Sequence, residues 1–352
     1  MNIASLRLQN FRSYADASWE FGEGVNIVVG PNASGKTNLL DSLVTLFGGS
    51  SFRSSDADLV MFNAPWARID GWGDIGERVF KVELLSEKPS KTYDIDGSKF
   101  KRLTFSKTIP YVLFEPEQLR LLHGSPDGRR EFIDNLAAKI LPEFERSLNG
   151  YNRTLRQRNA LLKSEHMPTH DHMFAWNVRL SELAGEVVRG RCEVIEMIMQ
   201  NAQQDYRNLS TEEYELIVEY GSKIPIENYE SAMLKKLESS LDLDRIRGFT
   251  GSGPHRDDIV FVLNKSDVSI SASRGEIRTL LLMLKMFEAR TVEMVRGQKP
   301  ILLLDDVFGE LDGTRRRLLT IFLQKYQSFI TTTDADIISK HFSQNCNIIA
   351  LK

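Results

Sequence analysis

Cysteine is nearly missing from this chain. Cys192 and Cys346 are its only two, isolated in sequence and outside any C-x-x-C spacing. That excludes a disulfide framework or a thiolate zinc site and makes a reducing cytosol, hence a cytoplasmic location, the expected compartment. Long apolar runs are missing as well. No window approaches the ~18 uninterrupted apolar residues of a membrane span, and Met1-Asn2-Ile3-Ala4-Ser5-Leu6-Arg7 enters an alternating strand pattern with no signal peptide. A charge surplus is absent: 45 Lys and Arg against 48 Asp and Glu leave a net charge of −3. Contact with nucleic acid would therefore have to come from local basic patches. There is no internal repeat and no low-complexity tract. What remains is an ordinary globular composition, 41% hydrophobic and 26% charged over 352 residues, enough for two or three compact units.

The most informative stretch is Gly30-Pro31-Asn32-Ala33-Ser34-Gly35-Lys36-Thr37. It fits the G-x-x-x-x-G-K-[ST] phosphate loop, with Val25–Val29 reading as the strand before it and Asn38–Leu43 as the helix after it. Glycines let successive N–H groups turn inward toward anionic oxygens at a helix N-terminus. Lys36 is spaced to reach the β- and γ-phosphates of ATP, and the Thr37 hydroxyl to ligate Mg²⁺. A glycine-rich turn that binds nothing is the bland alternative, and the Lys-Thr pair argues against it.

Strand patterns dominate the first hundred residues, with Ile3–Leu8, Arg68–Trp72, Val79–Leu84, an Asp96-Gly97 hairpin signal and the short run Tyr111–Phe114. From about Gly128 the period changes to helical. Met173, Trp176, Leu180, Leu183, Val187, Val194, Ile198 and Ala202 form a seam that predicts a helix over Met173–Tyr206, with breaks at Pro142 and near Pro168. Strands return at Tyr214–Tyr220 and Ile259–Leu263. A helix over Gly275–Arg290 precedes the fully apolar strand Ile301–Leu304. These shifts divide the chain into an ATPase part over 1–127, a helical lobe over 128–212 and a second ATPase part over 213–352. The fold class is α/β, a P-loop ATPase head with an inserted, mainly helical lobe.

Leu302-Leu303-Leu304-Asp305-Asp306 reads as a Walker B strand, an apolar run that ends on carboxylates where open α/β sheets hold their ligands. Asp305 is the expected Mg²⁺ group opposite Thr37, and Asp306 is placed to polarise the attacking water. Some 270 residues lie between Lys36 and Asp305. The first and last parts of the chain must therefore fold together around the helical insertion. Ser273-Arg274-Gly275-Glu276, opening a helix, looks like the signature motif of ABC-type ATPases, although Ser273 also suits a plain N-cap. Gly309-Glu310-Leu311-Asp312 matches a D-loop, and Thr332-Thr333-Asp334 ends the next strand without the switch histidine of ABC transporters.

With these pieces in order, the chain resembles the RecF family of ABC-type, SMC/Rad50-like ATPase heads. The resemblance runs over nearly the whole length. It is carried by Asn10–Tyr14, Asn26–Thr37, Ser51–Arg53, Val112–Leu119, Gly124–Pro126 with Arg129-Arg130, Gly253-Pro254-His255-Arg256-Asp257-Asp258, Ser273–Arg278 and Leu302–Asp312. It implies an ATP-dependent homodimer with two nucleotides held between each phosphate loop and the partner's signature residues Ser273, Gly275 and Glu276. It also implies a slow, DNA-stimulated, Mg²⁺-dependent ATPase that clamps single-stranded, gapped or junction DNA. Such proteins act with RecR and RecO to place RecA, in repair, replication-gap processing and the SOS response. Four positions depart from the family pattern. Ala33 replaces a common glycine, harmless unless the backbone needs a positive φ. Gln118 replaces Asp, either restoring a Q-loop amide or lying at the surface. Glu276 replaces Gln in the signature, and Gly309 replaces Ser in the D-loop.

Candidate DNA-phosphate contacts in the helical lobe are Arg146, Arg153, Arg156, Arg158 and Lys163 on one stretch and Arg179, Arg189 and Arg191 on another. Without aromatics interleaved among them, sequence-independent electrostatic binding is expected rather than base stacking. Arg129-Arg130 is read as structural, bridging the phosphate-loop lobe to the helices. Competing readings are an ABC transporter ATPase, opposed by the long insertion and missing histidine, and another SMC-like ATPase head such as RecN, which needs long coiled coils. A third is a nucleotide-gated clamp with incidental turnover, since Asp306 is one methylene shorter than the glutamate of fast ABC ATPases.

Overall fold

The computed structural model describes residues 1–84, 88–115, 118, 121–164, 170–209, 215–333, 342 and 346–351. Pro116, Glu117, Leu119, Pro168, Tyr214 and Asp334, which carry parts of the expectations above, lie outside the described residues. In chain order the first elements are β1 (Ile3–Phe11), β2 (Tyr14–Glu20), β3 (Val25–Val29) and α1 (Lys36–Gly48). They are followed by β4 (Trp66–Gly73), β5 (Arg78–Glu83), β6 (Ser90–Ile95), β7 (Ser98–Phe100) and β8 (Tyr111–Phe114). The middle holds α2 (Pro126–Ile140), α3 (Phe144–Leu162), α4 (His170–Leu209), β9 (Leu216–Gly221), α5 (Tyr229–Ser239), α6 (Leu241–Arg247), β10 (Asp258–Leu263), β11 (Ser266–Asp267) and α7 (Val268–Ser271). The chain then runs through α8 (Arg274–Arg296), β12 (Ile301–Asp305), α9 (Gly313–Leu323), β13 (Ser328–Thr332) and β14 (Cys346–Ala350).

The fold divides into two compact units, one of 1–118 with 284–352 and one of 119–283. The first joins the two ends of the chain, as the spacing of the phosphate loop and Walker B requires. The helical lobe read at 128–212 is thus part of a larger unit that also takes in β9–β11 and the start of α8.

In the first unit a six-stranded antiparallel sheet, in the order β2-β1-β4-β5-β6-β7, faces a five-stranded parallel sheet, β14-β3-β13-β12-β8, with α1 in the shared core. That is why α1 is buried nearly all round, its polar Asp41, Ser42 and Thr45 included: Leu39, Leu40, Leu43, Val44 and Phe47 are fully buried, among Leu8, Ile69 and Phe80 of one sheet and Val28, Leu303 and Phe329 of the other. The Gln327 side chain links strand segments as a backbone amide would. Its Oε1 accepts from Ile3 N (2.9 Å), and its Nε2 donates to the carbonyls of Ile3 (2.7 Å) and Gly22 (2.9 Å). In the parallel sheet Val29 pairs with Thr332 and Thr331 with Asp305. The strands all point the same way, so their carboxyl ends share one edge.

The second unit packs α2 to α5 around the three-stranded sheet β11-β10-β9. Helix α4 runs 40 residues, about 60 Å at 1.5 Å per residue. The seam read from sequence points inward, with Met173, Leu180, Leu183, Val187, Val194 and Ile198 all buried. Among the described residues no helix is long and apolar enough to cross a membrane.

The Gly253–Asp258 segment is the polar keystone of this unit. Gly253 sits at φ +131°, and a Cβ there would fall 2.7 Å from Tyr151 Oη. Asp257 accepts hydroxyl protons from Tyr220 (2.9 Å), Tyr229 (2.9 Å) and Ser222 (3.1 Å). Arg191, buried, forks onto Asp134 (2.7 and 2.9 Å) and donates to the Pro254 carbonyl (2.7 Å). Arg129 forks onto Asp258 (2.9 and 2.7 Å), and Arg130 reaches the Asp257 carbonyl. These two arginines therefore tie α2 to β10 inside the second unit instead of bridging from the phosphate-loop lobe. Their partners come from a segment that belongs to the same unit.

His255 gives this keystone an acid sensitivity. Its Nε2 donates to the Thr250 carbonyl (3.1 Å), and Nδ1 pairs with Tyr151 Oη (2.6 Å), accepting from it when the ring is neutral. Burial, with Arg256, Arg130 and Arg191 nearby, lowers its pKa from 6.5 to about 4. The unfolded chain therefore binds this proton first. The stability contribution is complete above pH 6.5 and is lost as pH falls toward 4, at roughly 1.4 kcal/mol per pH unit, about 3 kcal/mol in all. Asp257, whose carboxyl burial pushes upward, opposes this at the acid end. Urea midpoints followed by helical circular dichroism should fall across this window in the parent, with a clearly shallower slope in His255→Gln.

Candidate nucleotide-binding site

The phosphate loop leaves β3 at Gly30, where a Cβ would lie 2.4 Å from Ser34 Oγ and 3.0 Å from the Leu351 carbonyl, so only glycine fits. Gly35, the N-cap of α1, takes φ +98°, and no side chain caps this helix end. The first N–H groups of α1 are thereby left for an anion. Lys36, buried, donates from Nζ to the carbonyls of Gly30 (2.7 Å) and Pro31 (2.8 Å), closing the loop on itself. Ser34 Oγ is buried within the loop without a hydrogen-bond partner. An orphaned hydroxyl, an uncapped helix end and a lysine on loop carbonyls together form a cradle that fits a polyphosphate.

Ala33 stands at φ +66°, the left-handed region. The condition under which alanine is costly is therefore met. A left-handed alanine costs about 1–2 kcal/mol, and glycine recovers this less its own entropy of roughly 0.5–1 kcal/mol. Ala33→Gly is expected to raise the thermal midpoint of the first unit by the equivalent of about 0.5–1 kcal/mol, read by calorimetry.

The edge expected to hold Mg²⁺ is formed by α1, β12 and β13. Thr37 Oγ1 donates to Asp305 Oδ1 at 3.1 Å, across 268 positions of sequence. Thr331 Oγ1 donates to the same oxygen at 2.7 Å and accepts from Asp306 N at 3.0 Å. Asp306, at φ +51°, leaves the strand direction and stands exposed just beyond it. Thr331 is a contributor that motif reading missed, and the register of β13 against β12 brings it there.

Two family markers without an assigned role turn out to support the loop. Arg12 donates from Nε to Asp41 on α1 (2.8 Å) and from Nη2 to Ser54 Oγ (2.7 Å), and Ser51 Oγ donates to Asp41 (2.8 Å). Tyr14 Oη donates to the Gly35 carbonyl (3.1 Å), and burial pushes the phenol up to about 12. Asn38 joins both segments, donating to Ser13 Oγ (2.8 Å) and accepting from Arg53. The sequence signal for all of this was present only as motif membership.

The remaining motif residues are placed as follows. Ser273 and Glu276 form a reciprocal capping box on α8, with Ser273 N donating to Glu276 Oε2 (2.7 Å) and Glu276 N to Ser273 Oγ (3.3 Å). Asp312 caps α9 through Arg315 N (3.0 Å), which holds its carboxyl below the usual range. At Gly309 a Cβ would meet open space. The Gln118 side chain accepts from Glu115 N and donates to the Glu115 carboxylate, both at 3.3 Å.

The basic candidates separate cleanly. Arg153, Arg156 and Lys163 are exposed. Arg146, Arg179 and Arg189 are exposed but paired, with Glu143 (3.4 Å), Glu182 (3.0 Å) and Glu230 (2.6 Å). Arg158 and Arg191 are not surface residues at all and must be withdrawn as DNA contacts. Arg158 has 0% exposure and is bonded to Asp244 Oδ2 (3.0 Å), Thr250 Oγ1 (2.7 Å) and Asn177 Oδ1 (2.9 Å). A guanidinium in that position cannot meet a phosphate in solvent.

Comparison with known proteins agrees with this architecture. The RecF/RecN/SMC N-terminal domain family model matches residues 2–350. A DNA replication and repair protein RecF from Streptococcus gordonii is 34% identical over 339 residues, covering 95% of this chain and 94% of the relative. A solved structure of the recombination mediator protein RecF-ATPrS in the RecFOR pathway superposes with a TM-score of 0.85 at 30% identity, covering 96% of this chain and 93% of that one. A RecF-ATP structure from the same pathway gives 0.83 at 30% identity, with 94% and 92% covered. With a matching family model over nearly its whole length and the phosphate loop, Walker B strand and sheet order in place, the chain belongs to the RecF family of DNA replication and repair proteins.

Proposed function

We propose that the chain is a Mg²⁺-dependent ATPase that uses bound ATP to gate its grip on single-stranded or gapped DNA in recombinational repair. The observation that carries this is the meeting of Thr37 and Asp305 at 3.1 Å beside a loop whose Ser34 hydroxyl and α1 N-terminus lack partners. Gly30–Thr37 would hold the phosphates, with Lys36 turning from the Gly30 and Pro31 carbonyls to the β- and γ-oxygens. Thr37 and Asp305 would hold Mg²⁺, whose charge offsets that developing on the phosphoryl oxygens. Asp306 would orient and deprotonate the attacking water. A similar protein has been solved as RecF-ATP in the RecFOR pathway, which supports ATP as the nucleotide and RecO and RecR as partners; the proposed role is to help them place RecA in the cytoplasm.

In this reading Ser273, Gly275 and Glu276 close on the γ-phosphate of a second copy, so that ATP favours a homodimer. Gln118 and the D-loop residues Gly309 and Asp312 would respond to that closure, while Arg153, Arg156 and Lys163 supply phosphate contacts. The decisive measurement is ATP turnover with and without gapped DNA, in the parent and in Lys36→Arg, paired with sedimentation in ATP and in ADP. Expected are slow turnover raised by DNA, loss of turnover in Lys36→Arg, and dimers in ATP alone. A monomer in both nucleotides would remove the sandwich, and turnover indifferent to Lys36 would remove the site.

A further inference from the structure

The segment from α6 to Arg256 displays an aromatic ring beside two cations of its own stretch, Arg247 and Arg256, and near a third, Lys163, from the end of α3. Phe249 is 38% exposed and Ile246, one turn earlier, is 83% exposed, an unusual expenditure of large apolar side chains on a surface. The Arg256 guanidinium lies 5.1 Å from the Phe249 ring centroid. Lys163, at the end of α3, runs over Gly248, whose Cβ would fall 3.4 Å from its Cγ and 3.5 Å from its Cε. Arg247 Nη1 stands 3.4 Å from the corresponding position on Gly251. Lys163, Arg247 and Arg256 are all exposed.

The display is held rigidly from below. Gly248 turns the chain at φ +71°, and Phe249 N donates to the Asp244 carbonyl (3.2 Å). Gly251 N donates to Asp244 Oδ1 (3.0 Å), and Thr250 donates from both N (2.8 Å) and Oγ1 (2.7 Å) to Asn159 Oδ1. The buried Arg158 binds both Asp244 and Thr250. A ring presented at low entropic cost beside exposed cations is what single-stranded nucleic acid recognises, bases stacking on the π-face while phosphates meet the charges.

We propose that Phe249, flanked by Lys163, Arg247 and Arg256, is a stacking platform for single-stranded DNA. This rests on the DNA-binding reading above and adds a base contact to it. On this proposal binding is not purely electrostatic: Arg247, Phe249 and Arg256 lie in one short stretch outside the helices read for basic candidates, and the fold adds Lys163 from α3.

The test uses the full chain with ATP and Mg²⁺ and fluorescent oligo(dT), with an abasic oligonucleotide of equal length as the second probe. Phe249→Ala should weaken oligo(dT) binding about 5- to 100-fold and leave abasic binding unchanged, while Phe249→Tyr should bind like the parent. Lys163→Gln and Arg247→Gln should each lower the salt slope for both probes by about 0.7. Helical circular dichroism identical to the parent verifies that the variants are folded. Parent-like oligo(dT) binding by Phe249→Ala, or an equal loss on the abasic strand, overturns the platform and leaves the DNA reading standing. No binding of either probe by the parent overturns the DNA reading, and the platform with it.

Discussion

Replacing Arg158 with alanine is expected to destabilise the helical unit by about 3–5 kcal/mol, the usual cost of removing one partner of a buried ion pair. Arg158 has 0% exposure and Asp244 1%, at 3.0 Å. The guanidinium offers separate N–H groups to Asp244, Thr250 and Asn177, so its removal strands a buried carboxylate and leaves a cavity. Burial lowers the proton affinity of Arg158 while Asp244 raises it, a balance that exists only while the pair is intact. Arg158→Lys should recover little, because one ammonium cannot reproduce a planar fork. The denaturant midpoint of the helical circular dichroism signal reads the effect. Arg156→Ala, two positions earlier and exposed, should change that midpoint by less than about 0.5 kcal/mol. Equal midpoints for the two variants would refute the assignment of Arg158 as structural.

Asp306→Asn is expected to cut ATP turnover about 100-fold or more, in the range of a lost general base, while nucleotide affinity stays within a few-fold of the parent. The substitution is nearly isosteric, and asparagine tolerates the φ +51° backbone that Asp306 adopts. The Asp306 N–H bond to Thr331 Oγ1 (3.0 Å) does not involve the side chain and should persist. Asp305→Asn should instead weaken Mg²⁺-nucleotide binding, since Asp305 Oδ1 is the atom that Thr37 and Thr331 both address. Turnover measured at saturating ATP, beside a direct binding isotherm, separates the two carboxylates. A parent-like rate in Asp306→Asn would reassign the base.

The elements that sequence reading placed well are those whose signal is local. Strand β12 is four apolar residues and an aspartate in a row, and the Asp96-Gly97 turn is written in two residues. The long helix α4 announces itself through a seam repeated over several turns. Arg158 was misplaced although a clue was available. Tyr151, Thr154, Arg158 and Leu162 recur every three or four residues and are all buried, so position 158 lies on the inward face of α3. Charge alone argued for the surface, and the partner that makes burial tolerable, Asp244, is 86 residues away.

The residue pattern alone carries the expectation for the chemistry at the strand ends. A glycine-rich loop with Lys36 and Thr37, and an apolar strand ending in Asp305 and Asp306, make a polyphosphate the expected ligand, because few other arrangements of backbone amides and carboxylates are built from consecutive residues. Only the tertiary structure decided which cations face solvent and which hold the core. It alone set Ala33 in a left-handed conformation, put Thr331 on the Asp305 oxygen, laid Arg256 on the Phe249 ring and brought Lys163 to Gly248. The physical reason is the same in each case. Burial, register and backbone sign are properties of how distant segments pack, and a side chain's charge does not reveal whether its partner will be water, a phosphate or a carboxylate from another helix.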